Sequence, residues 1–331
     1  MLINYSILII FNIILFFFKK QLFRLVNLYD IPDKKRKIHT EKIPLIGGTI
    51  IILNLFFLNI ISILASHNFI NVDSNLVINN DLIIFGFLFF SIGYLDDRYD
   101  LKPLSKTVIA SIIFLFFLYL NEDFLINKLS FSFTNYEIIF ETFETRYFIT
   151  LFCFLVFQNA FNMIDGINLQ CSIYTIIFLL FLYYLDRNDI YLLTIIPLIF
   201  FSILNHRNET FLGNNGVFII SFLLTFFILN IQHEKQIYSD YIFILMAFPG
   251  IDMLRLFFIR LKKGDSPFSA DKNHIHHKLL KKFSYRSTLF LSIFNISLPL
   301  ILIVIFKNFF IAIFFFLLIY FYNIRSIKTS S

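Results

Sequence analysis

Apolar residues along this chain fall in long blocks rather than in the alternation of a half-buried strand or the spacing of an amphipathic helix. Eleven blocks can be drawn: 2–18, 45–65, 82–95, 107–120, 147–163, 169–185, 190–204, 215–231, 241–258, 287–306 and 308–323. Runs of roughly 17–25 apolar residues cross a bilayer core as helices. Three of the blocks, 82–95, 107–120 and 190–204, need flanking residues to do so. The pattern predicts an all-α polytopic membrane protein with about 10–11 transmembrane helices. The first block ends in Lys19-Lys20 without a small-residue cleavage site, so it is expected to be a retained span. One connection, 121–146, behaves differently. Residues 129–134 and 136–141 alternate around Asn135, which predicts an outer β-hairpin.

Composition agrees with this class. Hydrophobic residues make up 58% of the 331 and charged residues 15%, with 49 phenylalanines. Counting Lys and Arg over the connections puts 23 on one set of alternate loops and 5 on the other. That asymmetry places the first set in the cytoplasm, with the N-terminus outside and the C-terminus inside. The net charge of +6 is then mostly cytoplasmic-face charge near anionic lipid, not a nucleic-acid footprint. Cys153 and Cys171 lie in apolar runs without metal-ligand spacing and read as small core residues. No repeat or soluble domain is visible, so a single integral membrane domain over 1–331 is expected, with polar motifs from about 30 to 278 and further spans at 287–323.

Five polar segments are all expected on the cytoplasmic side. Asp30 to His39 is strongly basic and leads into Pro44-Leu45-Ile46-Gly47-Gly48. The paired glycines allow close approach of a neighbouring helix or a ligand. Asp96, Asp97 and Asp100 follow the run 82–95, with Lys106 opening the next. Charges beside hydrocarbon are costly unless paired or used, and adjacent carboxylates suit divalent metal or phosphate chemistry. Asn159, Asn162 and Asp165 recur at helical spacing, and Gly166 and Asn168 follow at a break between two spans. Such a break survives at membrane depth only where it lines a cavity or is buried in protein. Gly213-Asn214-Asn215-Gly216 opens an apolar run in the manner of an anion-binding helix start. Finally, His274, His276 and His277 sit in a basic segment and suit phosphate contact or proton handling better than zinc. Together these residues suggest one cytoplasm-facing site for phosphate transfer from a charged, water-soluble donor to an acceptor that enters from the membrane.

The order of the motifs resembles the polyprenyl-phosphate N-acetylhexosamine-1-phosphate transferases, the MraY-like glycosyltransferase 4 family. The Pro-Phe-Ser form at 267–269, ahead of the histidines, is similar to the common-antigen and O-antigen branch. The resemblance implies transfer of a sugar-1-phosphate from a UDP-N-acetylhexosamine, GlcNAc by default, to undecaprenyl phosphate. It implies UMP release, dependence on Mg²⁺ with Mn²⁺ as an alternative, and a multi-pass protein of the bacterial inner membrane; a homodimer stays open. By the same resemblance Asp96 and Asp97 are catalytic, and Asp97, Asn162 and Asn214 are metal ligands. Lys106, Asn159, Asp165, Asn168, Phe211, His274, His276 and His277 are then substrate-binding. Two departures stand out: Asn168 and Asn214 occupy positions where the family usually has Asp. An Asn carbonyl can bind Mg²⁺ but adds no negative charge, so reduced activity is a competing expectation. A transporter or flippase is the alternative from another class, but it would gather polar groups at the membrane midplane rather than at one face.

Overall fold

The computed structural model describes residues 2–32, 41–67, 79–264 and 273–328. Lys34, Lys35, Arg36, Lys37, His39 and the stretch from Ser266 to Asp271 lie outside the described residues. In chain order the elements begin with α1 (Leu2–Phe17), α2 (Lys19–Val26), β1 (Tyr29–Asp30), β2 (Ile43–Pro44), α3 (Gly47–Ser66), α4 (Asn80–Tyr99) and α5 (Pro103–Leu120). They continue with β3 (Lys128–Ser130), β4 (Glu137–Ile139), α6 (Phe143–Ile164), α7 (Gln170–Asp186), α8 (Asp189–His206) and α9 (Gly213–Lys235). The chain closes with α10 (Ser239–Lys263), α11 (Ile275–Lys282), α12 (Tyr285–Phe306) and α13 (Phe309–Lys328).

Each of the eleven apolar blocks is a helix, and the protein is a multi-pass membrane protein. Among the described residues seven helices, α3, α5, α6, α8, α9, α10 and α12, are long and apolar enough to cross a bilayer. An eighth span results if α1 and α2, bent by 71° at their junction, are taken together. α7 and the Phe309–Arg325 part of α13 are apolar but shorter, and α4 carries Asp81, Asp96, Asp97 and Arg98 within its 20 residues. Several starts are capped by side chains, as sequence chemistry dictates. Asn79, Thr142, Asn188 and Ser284 accept from main-chain N–H groups of Asp81, Thr145, Ile190 and Ser287. The expected hairpin is present: β3 and β4 pair antiparallel, with Leu129 opposite Ile138.

The described helices group into two compact units. The first is Met1–Leu120 with Leu182–Phe227. Its core is built from phenylalanine rings: Phe89 stacks on Phe222 at 4.8 Å, and Phe117 meets Phe85 at 5.2 Å and Phe222 at 5.5 Å. Asn12 of α1 and Asn54 of α3 exchange two amide hydrogen bonds, so neither buried amide is left to hydrocarbon. The second unit is Asn121–Phe181 with Ile228–Ser331. There α10 packs on α6, α12 and α13. The Tyr174 hydroxyl donates to the Leu245 carbonyl at 2.9 Å, and Asp240 accepts from both the N–H and the hydroxyl of Ser132, which ties the hairpin to α10.

Candidate functional site

In the first unit the acidic pair closes α4. Asp96 is 3% exposed. Its Oδ2 accepts from Lys106 Nζ of α5 at 2.8 Å, and its Oδ1 accepts from the Leu101 N–H at 3.0 Å. Asp100 between them takes the left-handed conformation, with φ 50°, that ends the helix and turns the chain toward α5. A buried carboxylate is thereby paired and hydrogen-bonded, as its position demands. The Lys106 side chain keeps 21% exposure. Its ammonium carries three donors and spends one on Asp96.

Asp97 points to the start of α9. Oδ1 accepts from the Asn214 N–H at 2.9 Å, and Oδ2 accepts from the Asn215 N–H at 2.9 Å and Nδ2 at 2.6 Å. The Gly-Asn-Asn-Gly segment is a helix start that binds an anion, as expected, but the anion there is the protein's own carboxylate. The N–H groups of Asn214 and Asn215 are thus committed to Asp97 rather than to a bound phosphate. Burial pushes the Asp97 carboxyl up to about 6, against the downward pull of the hydrogen bonds from Asn215 and Asn214, with a further rise from Asp96.

Asn215, which the motif reading left without a role, is the hub of this corner. It is fully buried. Its Oδ1 accepts from the Gly48 N–H at 2.9 Å, and its Nδ2 also reaches the Leu45 carbonyl at 3.2 Å. A Cβ on Gly48 would collide with Asn215, and one on Gly93 with the main chain of Asn214 and Asn215. The glycine pair at the start of α3 therefore serves a neighbouring helix, one of the two readings open from sequence. Phe211 is joined to the same segment through its main chain. Its N–H donates to the Pro44 carbonyl at 2.9 Å, and its carbonyl accepts from the Gly47 N–H at 3.2 Å. Asp96, Asp97, Lys106, Phe211 and Asn214 are thus brought together in the first unit.

Asn159, Asn162, Asp165, Asn168, His274, His276 and His277 belong to the second unit. Asn159 bonds its own helix at the Leu155 carbonyl, 2.7 Å away. Asn162 is half-buried on the last turn of α6, and exposed Asp165 caps that helix. The break continues through Gly166 and Asn168, whose carbonyl accepts from the Tyr285 hydroxyl at 2.8 Å. Gly166 is where His276 packs: an added Cβ would enter the imidazole. His276 is 1% exposed, and neither ring nitrogen has a hydrogen-bond partner. Burial, followed by the fields of His277 and His274, holds its pKa down to about 3, so the ring is neutral. Asp252 and Arg255 of α10, both close to the histidine segment, also escaped the motif reading. Two opposite charges three residues apart inside the block 241–258 were the available signal.

Among the described residues no group of three or more His, Cys, Asp or Glu side chains is arranged to hold a metal ion. Asp97 Oδ1 has accepted one hydrogen bond, from the Asn214 main chain, and keeps a lone pair, and Asn214 itself carries a half-buried carboxamide. These donors fit a hard cation that takes most of its shell from water and substrate phosphates, as Mg²⁺ does, and not an all-protein cage.

Residues 81–232 match the family model of glycosyl transferase family 4. The undecaprenyl-phosphate alpha-N-acetylglucosaminyl 1-phosphate transferase of Escherichia coli (strain K12) is 29% identical over 288 residues, covering 82% of this chain and 74% of that protein. The proteins of the same description from Yersinia pestis and Haemophilus influenzae are 29% and 27% identical, and each alignment covers 77% of this chain and at least 70% of the relative. The matched interval holds the acidic pair, Lys106, the α6–α7 break and the start of α9, and over these residues the chain is similar to glycosyl transferase family 4.

Proposed function

We propose that the chain transfers N-acetylhexosamine-1-phosphate, with GlcNAc as the default sugar, from a UDP-sugar to undecaprenyl phosphate. The products are UMP and a lipid-linked sugar that starts a cell-envelope glycan on the cytoplasmic face of a bacterial inner membrane. The observation that carries this reading is the Asp96–Lys106 pair beside the Asp97-capped start of α9. A buried carboxylate aims an ammonium whose remaining donors can meet a phosphate, at the end of an apolar helix where a lipid phosphate would arrive. Asp97 holds the main chain of Asn214 in place, and Asp97 Oδ1 with the Asn214 carboxamide would hold Mg²⁺ or Mn²⁺. The cation would neutralise charge developing on the leaving phosphate. Within the second unit, the histidine segment would contact the phosphates of the nucleotide, and Asp165 and Asn168 its base. In detergent with undecaprenyl phosphate, UMP release that depends on added Mg²⁺ is expected. No turnover with any member of a UDP-N-acetylhexosamine panel would end the reading. A rise in turnover or in Mg²⁺ affinity on Asn214→Asp would show what the missing carboxylate costs.

A further inference from the structure

Asp252 lies within the apolar run of α10 and is 2% exposed. Its carboxylate is used on both sides. Oδ1 accepts from Arg255 Nη2 at 2.6 Å, Arg255 Nε at 3.1 Å and the Tyr320 hydroxyl at 2.9 Å. Oδ2 accepts from the Ile275 N–H at 3.3 Å and lies 3.5 Å from His274 Nδ1, which is ion-pair range without hydrogen-bond geometry. Arg255 Nη2 also donates to the Asn273 carbonyl at 2.7 Å. The two main-chain groups that flank His274 are therefore both held from α10, and Asp252 acts as the cap of α11, the helix that carries His276 and His277.

Tyr320 completes this arrangement from α13, which lies beyond the residues matched by the family. It is fully buried, its ring stacks on Phe316 at 5.7 Å, and its hydroxyl also accepts from Arg255 Nε at 3.1 Å. Phenylalanine would fill the same space, so packing alone does not ask for the hydroxyl. A guanidinium facing a free carboxylate favours one N–H to each oxygen. Here Arg255 places two N–H groups on a single oxygen, and the Tyr320 hydroxyl is bonded to both partners of that pair. We propose that Tyr320, with Arg255, is a positioning residue. It keeps Oδ2 of Asp252 directed at Ile275, and so holds the His274–His277 segment in place for the phosphates of the donor. The second half of that statement rests on the transferase reading above; the first does not.

Without the hydroxyl, Asp252 would turn into a two-oxygen pair with Arg255 and release Ile275. The test is hydrogen–deuterium exchange over 273–282 in the full chain in detergent, read beside transfer kinetics with UDP-GlcNAc, for wild type, Tyr320→Phe, Asp252→Asn and, as control, Tyr322→Phe at an exposed site. Tyr320→Phe is expected to speed exchange in this segment by about tenfold and to raise KM for UDP-GlcNAc by about tenfold, with kcat within about twofold, the scale of one charged hydrogen bond. Asp252→Asn should do more and the control nothing. Unchanged exchange in Tyr320→Phe would overturn the positioning role, as would a fall in kcat and thermal stability with KM unmoved. Faster local exchange in a chain whose wild type turns over no UDP-sugar would uphold the positioning and overturn the transferase reading instead.

Discussion

Asp97 Oδ2 accepts two hydrogen bonds from one residue, the main-chain N–H of Asn215 at 2.9 Å and its side-chain amide at 2.6 Å. Asn215 in turn engages Gly48 and Leu45, so one carboxylate governs where α3 and α9 begin relative to α4.

From that arrangement, Asp97→Asn should be more damaging than Asn214→Ala. The substitution removes the charge at the start of α9 and turns an amide NH₂ toward N–H donors. Each buried donor left unpaired costs about 1–3 kcal/mol. Transfer activity should fall by roughly 100-fold or more, whereas Asn214→Ala keeps the main-chain N–H that Asp97 uses. Steady-state UMP release for the two variants decides it, and equal losses would count against the ranking.

The Asp96–Lys106 pair should behave as a buried ion pair. Lys106→Met leaves Asp96, which is almost wholly buried, without its cation, a change that typically costs about 3–5 kcal/mol. Adding Asp96→Asn should recover most of that stability, because the uncompensated charge is gone, but it should not recover transfer. Thermal unfolding and turnover measured on the same three proteins separate the two roles. Recovery of both would mean that Lys106 serves the fold only.

Much of this was legible in the sequence. The eleven helices follow from apolar blocks, because hydrocarbon imposes one solution on such runs. The hairpin at 128–139 follows from two-residue alternation. The α6–α7 break follows from Asp165-Gly166, and Leu169 completes the turn in the left-handed region at φ 67°. Other features were not legible. Lys19, Lys20 and Arg24 looked like loop charges, yet they lie on α2, because an eight-residue helix of mixed polarity leaves no block. The Asp97–Asn215 and Asp252–Tyr320 pairings join residues 118 and 68 positions apart. No local pattern records such partners, and the same residues read alone suit a metal, a phosphate or a cap.

Glycine substitutions should sort sharply by what a methyl group would meet. Gly166→Ala drives a Cβ into the His276 ring, and Gly93→Ala into the start of α9. Both should lose most transfer activity, and Gly93→Ala should also lower the unfolding temperature, since main chain cannot move aside as a side chain can. Gly86→Ala meets a single methyl of Leu55 at 3.9 Å, and Gly250→Ala meets nothing within 4 Å. In those helices alanine should be neutral or stabilising by up to about 1 kcal/mol. Unfolding temperatures of the four variants are the measurement.

The pH dependence of stability should carry two opposite contributions that overlap between about pH 4 and 6. His276 is held down to about 3 in the fold, first by burial, while a free imidazole titrates near 6.5. As pH falls through about 6.5 the unfolded chain takes up a proton that the fold refuses, so stability is lost between about 6.5 and 3. Asp97 has the other sign. Its pKa is raised to about 6 from 3.8, so its contribution is full below 3.8 and is lost as pH rises through 6. Unfolding temperature followed from pH 4 to 8 should therefore fall less steeply on the acid side in His276→Leu than in wild type. In Asp97→Asn it should fall less steeply on the way up through 6. The slopes carry the test, because either variant can shift the whole curve by repacking. Acid-side slopes that match in wild type and His276→Leu would mean that the ring is protonated in the fold, and that its two nitrogens have partners.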